Sequence, residues 1–155
     1  GNPIDVSVQQ DAQGFLLDLF DKMEAGLKNT SQSSLLMSTF EGRQITQLIC
    51  PKPSKSARSE RGEAFMCVSL EVKNMVGVED ALKKMTEKET IEGYPWDDEV
   101  RGCWIVDRTV LGKLPPNLVM HLNRFQINLD TFQTEKVNTK FTFPVTLDLE
   151  PFTKE

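Results

Sequence analysis

EAFMCVSLEV, residues 63–72, places Phe65, Cys67 (or Met66), Val68, Leu70 and Val72 in the two-residue repeat of a β-strand. Upstream, FEGRQITQLIC (40–50) mixes β-branched and apolar residues in rough alternation and reads as a second strand. Between them PKPSKSARSERG (51–62) holds two prolines, three serines and four basic residues, so it reads as a flexible loop closing a long hairpin of 40–50 with 63–73. Downstream, CWIVDRTVLGKLP (103–115) and NLVMHLNRFQIN (117–128) are strand-like, joined or bent at Pro115 and Pro116, where the missing N–H groups forbid continuous pairing. Residues 129–140 read as a hairpin loop, and KFTFPVTLDLEPF (140–152) as a last alternating strand.

Helices come first. SVQQDAQGFLLDLFDKMEAGL (7–27) spaces Ala12, Phe15, Leu16, Leu19, Phe20 and Met23 three and four apart, which predicts an amphipathic helix with Ser7 as N-cap and Gln10 completing a capping box. Gly14 within that helix costs ~1 kcal/mol against alanine, so a close neighbour or a ligand is expected to explain it. After a polar connector at 29–34, VEDALKKMTEKE (78–89) predicts a short helix with Glu79 and Asp80 at its dipole-favoured end, and TIEGYPWDDEVRG (90–102) is turn-rich and acidic. A leading helix followed mostly by strands gives an α+β chain built on an antiparallel sheet.

The 155 residues suit one unit with a real core. At 39% hydrophobic and 26% charged, the chain is too apolar for disorder. A net charge of −5 argues against a nucleic-acid surface, which needs clustered Lys and Arg. No window approaches the ~18 apolar residues of a membrane span, and no signal-peptide pattern opens the chain. Three scattered cysteines, Cys50, Cys67 and Cys103, do not make a disulfide framework, which favours free thiols and a reducing compartment, cytoplasmic or nuclear.

Chemistry read from residue types alone is sparse. A catalytic thiol needs a base with its own orienting partner, and His121 is the sole histidine. The alternation in VMHLNRF puts it inside a strand, facing the same way as Val119 and Asn123. Structural zinc needs paired thiolate or imidazole ligands, whereas Cys50 is followed by PKP and Cys103 stands alone. The acidic run 97–99 reads as a solvated turn, and no phosphate-binding glycine loop is present.

A resemblance supplies more. QQDAQGFLLDLFDKME (9–24) resembles the QQDAQEF helix of the ubiquitin-specific protease family, the papain-like deubiquitinating enzymes, and LPPNLVMHLNRF (114–125) resembles that family's LPPxLxxHLKRF strand. FEG (40–42), EAFMCVSLEV (63–72), VEDAL (78–82) and KFTFPVTLDL (140–149) follow in the family's order, so the resemblance runs from about residue 7 to the end. It implies a papain-like fold fragment over 7–155, with a thumb helix, the fingers and part of the palm, and residues 1–6 as a tag remnant or cut edge. The family's nucleophilic cysteine precedes the first motif and its catalytic histidine follows the last. The implied parent is a cysteine-type deubiquitinase that hydrolyses the bond after ubiquitin's terminal glycine. This chain alone is then expected to be inactive, with no catalytic residue of its own and His121 a bystander.

The same resemblance implies partners and site residues. Asp11 is expected to accept hydrogen bonds from an arginine in ubiquitin's basic tail and Gln13 to bond the tail backbone, while Arg124, Phe125 and Lys136 line the same channel. Gly14 and Asn123 stand where the family usually has Glu and Lys. A fingertip zinc would need four cysteines, but Cys50 occupies one ligand position while Pro53, Trp96 and Glu99 occupy the others, so no cofactor is expected and Trp96 is expected to add apolar burial. The expected partner is ubiquitin or a ubiquitinated protein, with neither nucleic acid nor membrane. Open strand edges left by a cut would permit dimerisation. The alternative is a non-catalytic ubiquitin-binding or scaffold module of the same fold.

Overall fold

The computed structural model of the chain describes residues 11–50, 57–94, 103–127 and 132–154. Helix α1 (Ala12–Leu27) starts where Asp11 leaves helical geometry at φ −78° and ψ 118°. Its carboxylate accepts from Gln13 N and Gly14 N, 3.1 Å each, satisfying two of the first-turn donors that have no partner within a helix. Asp11 and not Ser7 therefore caps the described helix; Ser7 and Gln10 lie outside the described residues. A short helix α2 (Leu35–Phe40) replaces the expected start of the strand at residue 40. It buries Leu36 and stacks Phe40 on Phe20 of α1, with ring centroids 5.0 Å apart.

The fingers are a four-stranded antiparallel sheet in the order β2 (Ala57–Phe65), β1 (Gly42–Cys50), β5 (Cys103–Lys113), β4 (Glu89–Tyr94). Two expectations are corrected there. Residues 57–62, read as part of a loop, belong to β2, which pairs with β1 along its whole length; residues 89–94, read mostly as a turn, form β4. The region 63–73 is also not one strand. Phe65, packed against the core, and buried Val68 are three residues apart, an interval that a period of two cannot serve, and the chain bends at Met66 and Cys67. From there β3 (Val68–Glu71) joins a different, parallel pair with β6 (Met120–Asn123).

Helix α3 (Val78–Met85) packs Val78, Ala81 and Leu82 under β3, carrying Glu79 and Asp80 in its first turn as expected. With Val68, Leu70, Val72, Leu111, Phe141 and Phe152 they form the core. After β6 the ladder breaks at Arg124 and resumes as the hairpin β7 (Phe125–Ile127) with β8 (Thr134–Lys136). The expected final strand at 140–152 is corrected as well. Only Thr142 and Thr153 make bridges, to Gly77 and Leu111, and a short 3-10 helix (Glu150–Phe152) ends the segment. Pro144 lacks a ladder donor, and Phe143 and Val145 are 77% and 107% exposed although Phe141 is buried, so the alternation there does not describe one buried face. Gly77 is required by the approach of this segment, since a Cβ would sit 2.6 Å from Thr142 Oγ1. No described helix is long and apolar enough to cross a membrane.

One polar ladder crosses the fingers. Gln47, fully buried in β1, donates from Nε2 to Glu60 Oε1 (2.7 Å) on one side and accepts from Arg108 Nε (2.6 Å) on the other. Glu60 Oε2 in turn accepts from Lys154 Nζ (2.6 Å), tying the C-terminal segment to the sheet. Gln47→Ala is expected to lower the unfolding free energy by about 2–3 kcal/mol, because it strips the buried partner from two strands at once. The more exposed Lys154→Met should cost less than ~1 kcal/mol. Urea titration of both variants measures the contrast.

Candidate binding groove

A groove of about 710 Å³ opens between the N-terminus of α1, the β3/β6 pair and the β7/β8 hairpin. All five residues expected to line a channel line it: Asp11, Gln13, Arg124, Phe125 and Lys136. The elements that bring them together are separate in sequence. The cap puts Asp11 and Gln13 at the helix end. The break in the ladder at Arg124 carries Arg124 and Phe125 along the groove wall, and the hairpin register sets Phe125 opposite Lys136.

Each side chain also has a structural task. Arg124 Nη1 donates to the carbonyls of Val137 (3.0 Å) and Thr139 (3.2 Å), while Val137 N returns to Arg124 O (2.7 Å), clamping the hairpin to the end of β6. Lys136 Nζ lies 5.9 Å from the centre of the Phe125 ring, a cation over an aromatic face. A Cβ at Gly14 would lie 3.2 Å from Asp11 Oδ2, so a larger residue fits once that exposed carboxylate shifts by a few tenths of an ångström.

The groove also holds Ser69 and His121, paired across the parallel strands. Ser69 Oγ stands 3.1 Å from His121 Nδ1 and donates to Gln13 Oε1 at 3.1 Å. Ser69 carried no sequence signal beyond being the polar residue between Val68 and Leu70, which the strand period assigns to the outward face. The imidazole is not joined to a thiol among the described residues. Half-buried Cys67 meets the His121 backbone, and burial pushes its thiol pKa up despite a partial lowering by that hydrogen bond, which is the reverse of an activated nucleophile.

Cys50 is fully buried and disulfide-bonded, which corrects the reading of three free thiols, whereas Cys67 is free. A fingertip zinc does not fit this donor set: Cys50 is spent in the disulfide, and Pro53, Trp96 and Glu99, which lie outside the described residues, are not the thiolates the ion needs. Among the described residues no three His, Cys, Asp or Glu side chains converge on a metal position.

Comparison with known proteins accords with the fold. Residues 2–155 match the family model described as ubiquitin carboxyl-terminal hydrolase. The chain is 34% identical over 154 residues to mouse ubiquitin carboxyl-terminal hydrolase 40, covering 95% of this chain and 12% of that protein. It is 33% identical over 151 residues to human ubiquitin carboxyl-terminal hydrolase 24, covering 96% and 6%. The chain thus spans a small part of the relatives it matches. Among solved structures it superposes with a TM-score of 0.81 at 21% identity on a chain of the SAGA Ubp8/Sgf11/Sus1/Sgf73 DUB module bound to ubiquitin aldehyde, covering 94% of this chain and 33% of that one.

Because Asp11 caps α1, Asp11→Ala is expected to lower stability by about 1 kcal/mol, while Asp11→Asn, which keeps an accepting oxygen, should stay within a few tenths. Thermal or denaturant melts of the two variants decide it. Cys67 is expected to react with iodoacetamide more slowly than a small free thiol at mildly alkaline pH, as peptide mass mapping would show, because its raised pKa keeps it protonated there.

Proposed function

Starting from the fact that this chain belongs to the ubiquitin carboxyl-terminal hydrolase family, we propose that its groove holds the extended basic tail of ubiquitin as part of the substrate channel of a deubiquitinase. What carries this reading is the meeting of a helix-capping carboxylate, an amide side chain and an aromatic wall in one groove formed by three separate parts of the chain. Asp11 accepts from a tail arginine through a charge-assisted hydrogen bond. Gln13 bonds a tail peptide group, and Phe125 with Lys136 above it forms the opposite wall.

Substrate binding and orientation are the share of the reaction assigned to these residues. In the parent, a thiolate adds to the carbonyl carbon of ubiquitin's terminal glycine, the amine departs with a proton, and water then cleaves the thioester to release ubiquitin. The described residues hold no thiol beside an imidazole ring, so this reading leaves that chemistry to other parts of the protein. Holding a flexible tail in register lowers the entropic part of the barrier for the attack. Neutral Gly14 and Asn123, at positions where the family resemblance puts Glu and Lys, favour a second reading, a ubiquitin-binding module without turnover.

Titration of isotope-labelled ubiquitin with this chain is expected to show saturable binding that weakens as salt is raised. Asp11→Asn, which keeps one of the two capping acceptors and removes the charge, should bind at least about tenfold more weakly. No binding by the wild-type chain, or equal affinity of the two, refutes the proposal. A fluorogenic ubiquitin adduct should be released by the full-length parent and not by this chain; a parent that binds ubiquitin without releasing the adduct selects the second reading.

A further inference from the structure

Proton counting around Ser69 gives His121 a task. A serine hydroxyl has one proton to donate and lone pairs to accept with. With the Gln13 amide oxygen facing Ser69, the hydroxyl proton goes to Oε1, and the 3.1 Å contact with His121 Nδ1 is then satisfied only if the ring nitrogen supplies a proton to Ser69 Oγ. The bonds then run in one direction, from His121 to Ser69 to Gln13. With its carbonyl oxygen engaged, the Gln13 amide leaves Nε2 without a partner among the described residues, at the wall of the groove.

We infer that His121 and Ser69 are positioning residues that fix the Gln13 amide as a hydrogen-bond donor, so that the groove selects a carbonyl, not an N–H, of the extended peptide lying in it. The other ring tautomer reverses the logic. A proton on Nε2 makes Nδ1 an acceptor that competes with Gln13 for the single Ser69 proton, one bond is lost, and the amide is free to turn its oxygen toward the peptide. A peptide backbone presents donors and acceptors alternately, so the amide's orientation sets the register at which the tail sits. Of the charged groups sharing the groove, Asp11 is held by the helix cap, Arg124 by the hairpin carbonyls and Lys136 over Phe125, and none is among the hydrogen-bond partners of the ring.

The peptide-reading part of this inference rests on the proposed tail groove, whereas the direction of the bonds does not, and the experiment separates them. His121 is the chain's only histidine, so imidazole nitrogen signals from a histidine-labelled sample are assigned without ambiguity. At a pH that keeps an imidazole neutral, Nδ1 is expected to give a protonated-type signal and Nε2 an unprotonated one, with Ser69→Ala abolishing that preference. Ubiquitin affinity should fall about three- to tenfold in His121→Leu and in Gln13→Glu. His121→Asn, whose Nδ2 stands where Nδ1 stood, should restore it. A protonated Nε2 with a bare Nδ1 overturns the bond direction. Unchanged affinity in both Ser69→Ala and His121→Leu, or a His121→Asn that folds yet binds no better than His121→Leu, overturns the positioning role. If the wild-type chain binds no ubiquitin, the groove reading and the peptide-reading role fall together, while the nitrogen signals still decide the network.

Discussion

Four backbone pairings between β3 and β6 hold the palm together, and the groove depends on them. Val68↔Met120, Ser69↔His121, Leu70↔Leu122 and Glu71↔Asn123 bring together residues about fifty positions apart, with α3 and the strands β4 and β5 lying in the crossover. Parallel pairing of such short strands is weak by itself and needs cover. The cover comes from Val68 and Leu70 on one face, packed with Val78, Ala81 and Leu82 of α3 and with Leu111, each Val or Leu side chain contributing roughly 1.5–3 kcal/mol on burial. The strand period then puts Ser69 and His121 on the opposite face. A single register thus fixes both the core and one groove wall, and slipping it by one residue would exchange them.

The parts of the fold legible in sequence are those whose apolar residues repeat with the period of the element, even where the fold leaves them open: in α1 Phe20 is buried, whereas Phe15, Leu19 and Met23 are 58%, 40% and 41% exposed. Strands β1 and β5, the amphipathic pattern of α1 and the first-turn acids of α3 all carried their periodicity openly. Two of the misread segments share a physical cause. β2 and β4 are the two edges of the fingers sheet, and an edge strand is blunted by charge and small polar residues, which gives ARSERGEAF and ETIEGY the composition of loops. LLMSTF is too short for a helical period to show. At 140–152 the error runs the other way: Phe143 and Val145 continue an alternation that no described neighbour buries.

The groove was legible in a different manner. Asp11, Gln13, Arg124, Phe125 and Lys136 were reached by resemblance, because no local pattern announces that a helix cap, a broken strand and a hairpin will converge. Ser69 was missed for the complementary reason. Alternation shows that it faces outward but not that the outward face meets the start of α1, a tertiary fact. His121 was read as a strand residue, and it lies in β6, yet that position says nothing of its hydrogen bonds.

Charge in the groove follows from how each group is held. Both oxygens of Asp11 accept backbone N–H groups at the positive end of α1, which fixes the carboxylate while leaving each oxygen a further lone pair. No internal cation pairs with Asp11 among the described residues, since Arg124 is committed to Val137 and Thr139 and Lys136 to the Phe125 ring. The acid therefore stands on the helix wall and the cations on the hairpin wall, separated by the strand floor and prevented from neutralising one another. An arginine side chain entering the groove finds a carboxylate already oriented, so little rotamer entropy is lost on pairing. The tethers of Asp11 and Arg124 are hydrogen bonds between these side chains and the backbone, and the polarity of the groove consequently persists only as long as the cap and the hairpin clamp remain closed.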